Sequence, residues 1–378
     1  MLFRSIGEYF LELEILLEKL STNSPEDAFG SGSFEDIRKV YILMAKAVHP
    51  DKHMKNKKDR ELAELCSKKL NTLWTEAKVR IKQGIYGSTI VVTPKVTEPT
   101  TISTKQAIYR ITSRIYSGGT CGVFKAIRID NKTNTSKEVL LKVPHSSKDN
   151  DLLNNEFKVV NSINSKIKES TDNEEALKRL SLLVPSLIEK IKIEKKHINV
   201  YEYSEDCYDL VQIHNSYGEI VKPEVAVFIF NRILNCLMVA HNSGWVHGCI
   251  RPNHMIIHKP THCGCLIDWS CSKQITESKK LPYIDSKWKD FIAPEVLASK
   301  IPSIKGDIYS AACCACYLFG DGKDLFSVNI YDQIGKILNL CLQPNIKKRP
   351  TSAEEVFDLF GNAVYEVYGK PKFVELAV

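Results

Sequence analysis

The stretch GWVHGCIRPNHMII, residues 244–257, decides the fold. It stands in the middle of a zone, residues 106–378, whose runs are strand-like at first and helical later. That order predicts an α+β unit with two lobes. A β-rich small lobe spans 106–204 and an α-rich large lobe spans 205–378. Working outward, residues 88–105 (STIVVTPKVTEPTTISTK) are rich in Thr and Pro and have no helical period. They read as a linker with room for one strand. Residues 1–87 read as a separate helical unit, and no internal repeat occurs.

The chain has 378 residues, of which 43% are hydrophobic and 26% charged. These values exclude a mostly disordered or collagen-like chain and suit two or three domains. A net charge of +7 is modest for this length. It speaks against a nucleic-acid coat, though residues 38–60 form a local basic stretch. The N-terminus carries acids through its apolar part, unlike a signal peptide. Residues 311–319, the longest apolar run, are too short for a membrane span. The twelve cysteines are scattered, with no C-x-x-C pair. A cytoplasmic protein with free thiols is expected, with no membrane and no nucleic acid as partner.

In the helical unit, Phe34, Ile37, Val40, Tyr41, Met44 and Val48 recur at helical spacing. Ser33 is the expected N-cap, and Pro50 ends the helix. Leu62, Cys66, Leu70, Leu73, Ala77 and Ile81 line a second amphipathic helix. The two helices predict an antiparallel hairpin around His49-Pro50-Asp51. The segments IRKVYILMAKAVHPDK (37–52) and KKLNTLW (68–74) resemble the second and third helices of a J-domain, a co-chaperone module. The resemblance implies a DnaK-type chaperone as partner. His49, Pro50 and Asp51 would be its trigger, and Arg38, Lys39 and Lys46 its basic docking face. The sequence departs from the pattern at Ile42 and Leu43, where basic residues are common. The connection from residue 21 to 33 is also long.

Residues 106–378 resemble a protein kinase domain, with its landmarks in order. IYSGGTCGVFKA (115–126) resembles the glycine-rich loop, with Gly118 and Gly119 beside phosphates. Tyr116 and Cys121 stand where two of its glycines are usual. Lys142 in VLLK resembles the phosphate-gripping lysine, and Glu156 in NNEFKVV its partner. Leu140 replaces a small residue of the adenine pocket. In INVYEY (198–203), Glu202 begins the hinge and Tyr201 guards the back of the pocket. In the opening stretch the usual Arg is Gly248. The catalytic Asp is Cys249, the catalytic Lys is Arg251, and the metal-binding Asn is His254. A thiol lacks the paired acceptors of a carboxylate base, and imidazole suits magnesium poorly. Asp268 in LIDWS keeps the position for magnesium. Glu295, Asp307 and Arg349 match structural residues of the large lobe. The loop and the DWS segment together also resemble a kinase-like module of bacterial and phage J-domain proteins.

The resemblance thus implies an α-helical J-domain joined to a pseudokinase. ATP with magnesium is its structural ligand, and a protein client or partner binds the kinase-like unit. One rival is an active atypical kinase or nucleotidyl transferase using Lys142, Glu156 and Asp268. A second is a non-catalytic scaffold. Other readings of the residues carry less. His258, His262, Cys263, Cys265 and Cys271 fit no common zinc spacing, so zinc is not expected. Cys313, Cys314 and Cys316 read as small buried thiols. Cys249 as a covalent nucleophile is the weakest alternative.

Overall fold

The computed structural model describes residues 13, 16–17, 20–21, 24–30, 34–49, 53, 57–82, 86, 101–218, 221–320, 332–370 and 373–378. It divides into two units, Met1–Val92 and Thr93–Val378.

The first unit contains α1 (Pro25–Phe29), α2 (Phe34–Ala47) and α3 (Lys57–Lys82). Ser24 caps α1 by accepting the N–H groups of Glu26 and Asp27. Ile37, Met44 and Val48 bury against Ala63, Cys66, Leu70, Leu73 and Ala77. Phe34 departs from the periodic expectation. It stays 44% exposed and stacks on Trp74. Tyr41 lies face to face with Trp74 at 4.5 Å, and its hydroxyl donates to Asn71 Oδ1 at 3.0 Å. Ser33, Pro50 and Asp51 lie outside the described residues.

The second unit opens with a six-stranded antiparallel sheet in the order β1-β2-β3-β4-β6-β5. The strands are β1 (Thr101–Ser103), β2 (Ala107–Ser117), β3 (Cys121–Asp130), β4 (Ser136–Pro144), β5 (Leu187–Ile193) and β6 (Lys196–Glu202). β1 falls inside the stretch read as linker. Its Thr-Ile-Ser favours an extended chain, and Thr104 turns it back by accepting the N–H of Ala107. Helices α4 (Asn150–Ser170) and α5 (Glu174–Ser181) interrupt the strand order between β4 and β5. Along α4, Leu153, Val159, Val160, Ile163 and Ile167 are buried, and so is Glu156.

The remainder is mostly helical: β7 (Cys207–Asp209), α6 (Leu210–Tyr217), α7 (Pro223–Asn242), β8 (Trp245–Val246), β9 (Met255–His258), β10 (Cys263–Leu266), β11 (Lys273–Gln274), α8 (Pro294–Ser299), α9 (Ile304–Phe319), α10 (Asp332–Cys341) and α11 (Ala353–Tyr368). The architecture is the bilobal one, a β-rich lobe followed by a helical lobe. α7 is long and apolar enough to cross a membrane, so residues 311–319 are not the strongest span by composition. α7 instead buries eleven residues, including Phe230, Ile233, Leu234 and Leu237, in the core of this lobe. A helix apolar on most sides is what a central core position requires. Cys313, Cys314 and Cys316 sit in α9 as buried thiols.

Candidate active site

The site lies where β4, α4 and the segment after β10 converge. Lys142 projects from β4, and its Nζ donates to Glu156 Oε2 at 2.6 Å and to Asp268 Oδ1 at 2.8 Å. Burial alone would lower the Lys142 pKa. The carboxylates of Asp268 and Glu156 override it and hold the ammonium charged. Burial would likewise raise Asp268, yet the Lys142 ammonium keeps it well below the usual carboxylate range. Burial raises Glu156 even with the ammonium against it. Asp268 has left-handed backbone, φ 62°, which aims its carboxylate at Lys142. Ser270 Oγ donates to Asp268 Oδ1 at 2.7 Å.

A residue that the sequence gave no sign of fixes this arrangement. Asn155, beside Glu156, donates from Nδ2 to the carbonyls of Ser270 and Ser272 at 2.9 and 3.0 Å. It ties α4 to the DWS segment and so keeps Glu156 within reach of Lys142. Trp269 is fully buried, and its Nε1 donates to the carbonyl of Leu266.

Opposite stands the loop of residues 244–257. Asp307, on α9, accepts the N–H groups of His247 at 2.7 Å and Gly248 at 2.8 Å, and lies 3.1 Å from His241 Nε2. His247 is wholly buried, and burial lowers its pKa to about 4. Its neutral ring accepts the Cys249 N–H at Nδ1 and donates from Nε2 to the carbonyl of Ile267. The Cys249 thiol is raised well above its ordinary range, first by a hydrogen bond with the Cys271 thiol and then by burial. It is therefore protonated at neutral pH, and no carboxylate occupies the place of a general base.

Arg251 and His254 bond each other. Arg251 Nε donates to His254 Nε2 at 2.8 Å, and its Nη1 donates to Asp285 Oδ2 at 2.6 Å. Burial lowers the His254 pKa. In the neutral tautomer this implies, Nδ1 donates to the Cys249 carbonyl at 2.8 Å. His254 Nε2 lies 3.2 Å from Asp268 Oδ2.

Two ligands implied by the resemblance can be tested against these contacts. A phosphate fits, since Lys142 is charged and the turn between β2 and β3 carries Gly118 and Gly119. A Cβ added at Gly119 would meet nothing within 4 Å. Magnesium held by Asp268 and the residue at 254 does not fit. Oδ1 of Asp268 is taken by Lys142 and Ser270, and the His254 lone pair already accepts from Arg251. Tyr116 crowds the glycine turn, with Cε1 only 3.0 Å from where a Gly118 Cβ would stand.

The remaining expected residues separate. The Glu202 carboxylate is exposed and pairs with Lys137 at 3.4 Å, so it does not face Lys142. Leu140 and Tyr201 are cross-strand neighbours, and Tyr201 is buried. Glu295 forms a two-pronged pair with Arg349, both contacts 2.8 Å. His262 stacks on Phe228 and Phe373, while His258 Nδ1 meets Thr261 Oγ1 at 2.7 Å. Among the described residues no three His, Cys, Asp or Glu side chains gather to hold a metal. In the first unit, Arg38 and Lys39 lie 3.8 and 3.7 Å from Glu35 and Asp36 on exposed α2. Lys46 lies in the last turn of that helix, and His49 follows it.

The family profile for the protein kinase domain matches residues 109–364, more than half of the chain. The human serine/threonine-protein kinase MRCK gamma is 23% identical over 158 residues, which cover 39% of this chain. The match spans about a tenth of that relative's length (10%).

Proposed function

The chain belongs to the protein kinase family, and from that premise we propose a pseudokinase joined to a J-domain co-chaperone. The kinase-like unit binds a nucleotide through Lys142 and selects a protein client or partner. Its phosphoryl transfer is lost or strongly weakened. The observation that carries this reading is the Cys249 thiol, in place of a carboxylate, on the loop held by His247. A positioned general base contributes roughly 10²–10⁴-fold. Lys142 and Glu156 bind and orient phosphate. Magnesium, when bound to a kinase nucleotide, neutralises phosphate charge, and His254, at the place of its second side-chain ligand, is taken by Arg251. ATP binding is therefore expected with little magnesium dependence.

The helical unit supports the co-chaperone part through the packing of Tyr41 on Asn71 and Trp74, and through the basic residues of α2. A DnaK-type chaperone is its proposed partner. Twelve free cysteines support a cytoplasmic, reducing setting.

The test uses the full chain. ATP titrated with and without magnesium should bind in both cases and be lost in Lys142→Met. Stimulation of a DnaK-type ATPase should be lost in His49→Gln. Absence of ATP binding at millimolar concentration would end the nucleotide part, and stimulation that survives His49→Gln would end the chaperone part. The intact Lys142–Glu156 pair favours a second reading, an atypical kinase. Phosphate transfer that disappears in both Lys142→Met and Asp268→Asn would select it.

A further inference from the structure

A cavity of about 940 Å³, whose lining does not include Lys142, lies between the end of α4, α5, α7 and the turn joining β9 to β10. Its wall includes Leu180, Leu183 and Met238, together with Arg232. Arg232 is held in an unusual way. Gly264 lets β10 press on its stem, since an added Cβ would stand 2.7 Å from Arg232 Cβ. The guanidinium lies over the Phe228 ring at 5.7 Å. Its Nε is buried and donates to nothing among the described residues.

A buried guanidinium N–H without a protein acceptor calls for one, and a guanidinium bonds an anionic acceptor more strongly than a neutral one. The other charges of the lining do not supply one. Lys166 pairs with Glu169 at 2.7 Å and Arg179 with Glu175 at 2.5 Å, so the acids present are engaged by other cations. Arg232 also holds down the pKa of His262 at the rim, after burial. The volume falls at the upper end of small-molecule pockets, roughly 300–1,000 Å³.

We propose that this cavity is a ligand site for a small anionic amphiphile, with a carboxylate or phosphate head on Arg232 and an apolar body against Leu180, Leu183 and Met238. The site is separate from the cleft at Lys142 and does not depend on nucleotide binding. Its position at the end of α4 places it on the helix that carries Glu156.

The probe is decanoate, titrated calorimetrically into the full chain. Decanol and inorganic phosphate serve as body-only and head-only controls. One decanoate should bind per chain, at least tenfold tighter than either control. Arg232→Met should weaken it at least tenfold. Because Arg232 also packs on Phe228, Leu180→Trp gives a second arm: it fills the cavity from α5 and should abolish binding with Arg232 intact. Saturable decanoate binding lost in a folded Arg232→Met or in Leu180→Trp supports the site. No saturable binding overturns it, as does equal affinity for decanol, or affinity unchanged in both variants. Tighter binding of an acidic peptide such as Leu-Glu-Leu-Leu would overturn the small-ligand assignment.

Discussion

Two halves of one loop behave differently. In the first, the N–H groups of His247 and Gly248 are fixed by a buried carboxylate, Asp307, and the His247 ring bridges to Ile267. In the second, Cys249, Arg251 and His254 satisfy one another and Asp285. The first half is a frame that depends on backbone donors and one acceptor. The second half is where kinase chemistry would reside, and its Arg251 and His254 side chains are already paired without any carboxylate at 249. The fold needs the frame, and it closes here over a thiol. On the proposed reading, a kinase shape and kinase chemistry are separable here at single side chains.

The frame can be broken most severely at Asp307. Asp307→Ala leaves two buried N–H groups and His241 without their acceptor, a loss of about 4 kcal/mol. Urea unfolding should show it, and a loss below about 1 kcal/mol would mean that Asp307 is not the anchor.

His247 gives the next effect through pH. Its folded pKa is about 4 against 6.5 for the free ring. Between these values the unfolded chain binds more protons. The stabilisation is therefore complete above pH 6.5 and is lost as pH falls toward 4, amounting to about 3 kcal/mol. Unfolding at pH 7 and pH 4.5 should differ less in His247→Gln than in the parent chain. Equal differences would show that the ring is not buried in its neutral form.

How far these halves could be read beforehand follows from what each residue bonds to. Lys142, Glu156, Asp268 and Asp307 were legible because each sits in a short segment with its own pattern, in the expected order. The altered positions 249, 251 and 254 were legible as substitutions within one such segment. Their consequence for magnesium was legible only in part: imidazole is a poor ligand on chemical grounds, but the Arg251–His254 bond that occupies its lone pair appears only in three dimensions. Asn155 and Asp285 were missed because their partners lie 115 and 34 positions away. The Arg232 cavity depends on α5, an element whose sequence carries no signal for a site. Of the His-Pro-Asp trigger, only His49 falls among the described residues.

The reactive half is tested by restoring it. Cys249→Asp, Arg251→Lys and His254→Asn together should raise phosphate transfer from ATP about 10²-fold over the parent chain. Radiolabel incorporation into a generic protein substrate measures it. No gain in a triple variant that still binds ATP would mean that the loop side chains are not what limits the chemistry. The two halves would then be less separable than the hydrogen bonds imply.

The smallest effect falls at the junction of the halves. Gly248 has φ 75°, and its N–H is held by Asp307 Oδ1. A Cβ there would stand 2.9 Å from Leu281 Cδ2 and 3.1 Å from Pro302 Cβ. The left-handed backbone alone costs a non-glycine residue about 1 kcal/mol. Gly248→Ala should therefore lower stability by about 1–2 kcal/mol, read from the urea midpoint, with the denaturant slope unchanged. A frame held by Asp307 cannot relax φ without giving up that bond, so the strain must register. If Gly248→Ala is neutral, the loop turns freely at this point, and the rigid half ends at His247.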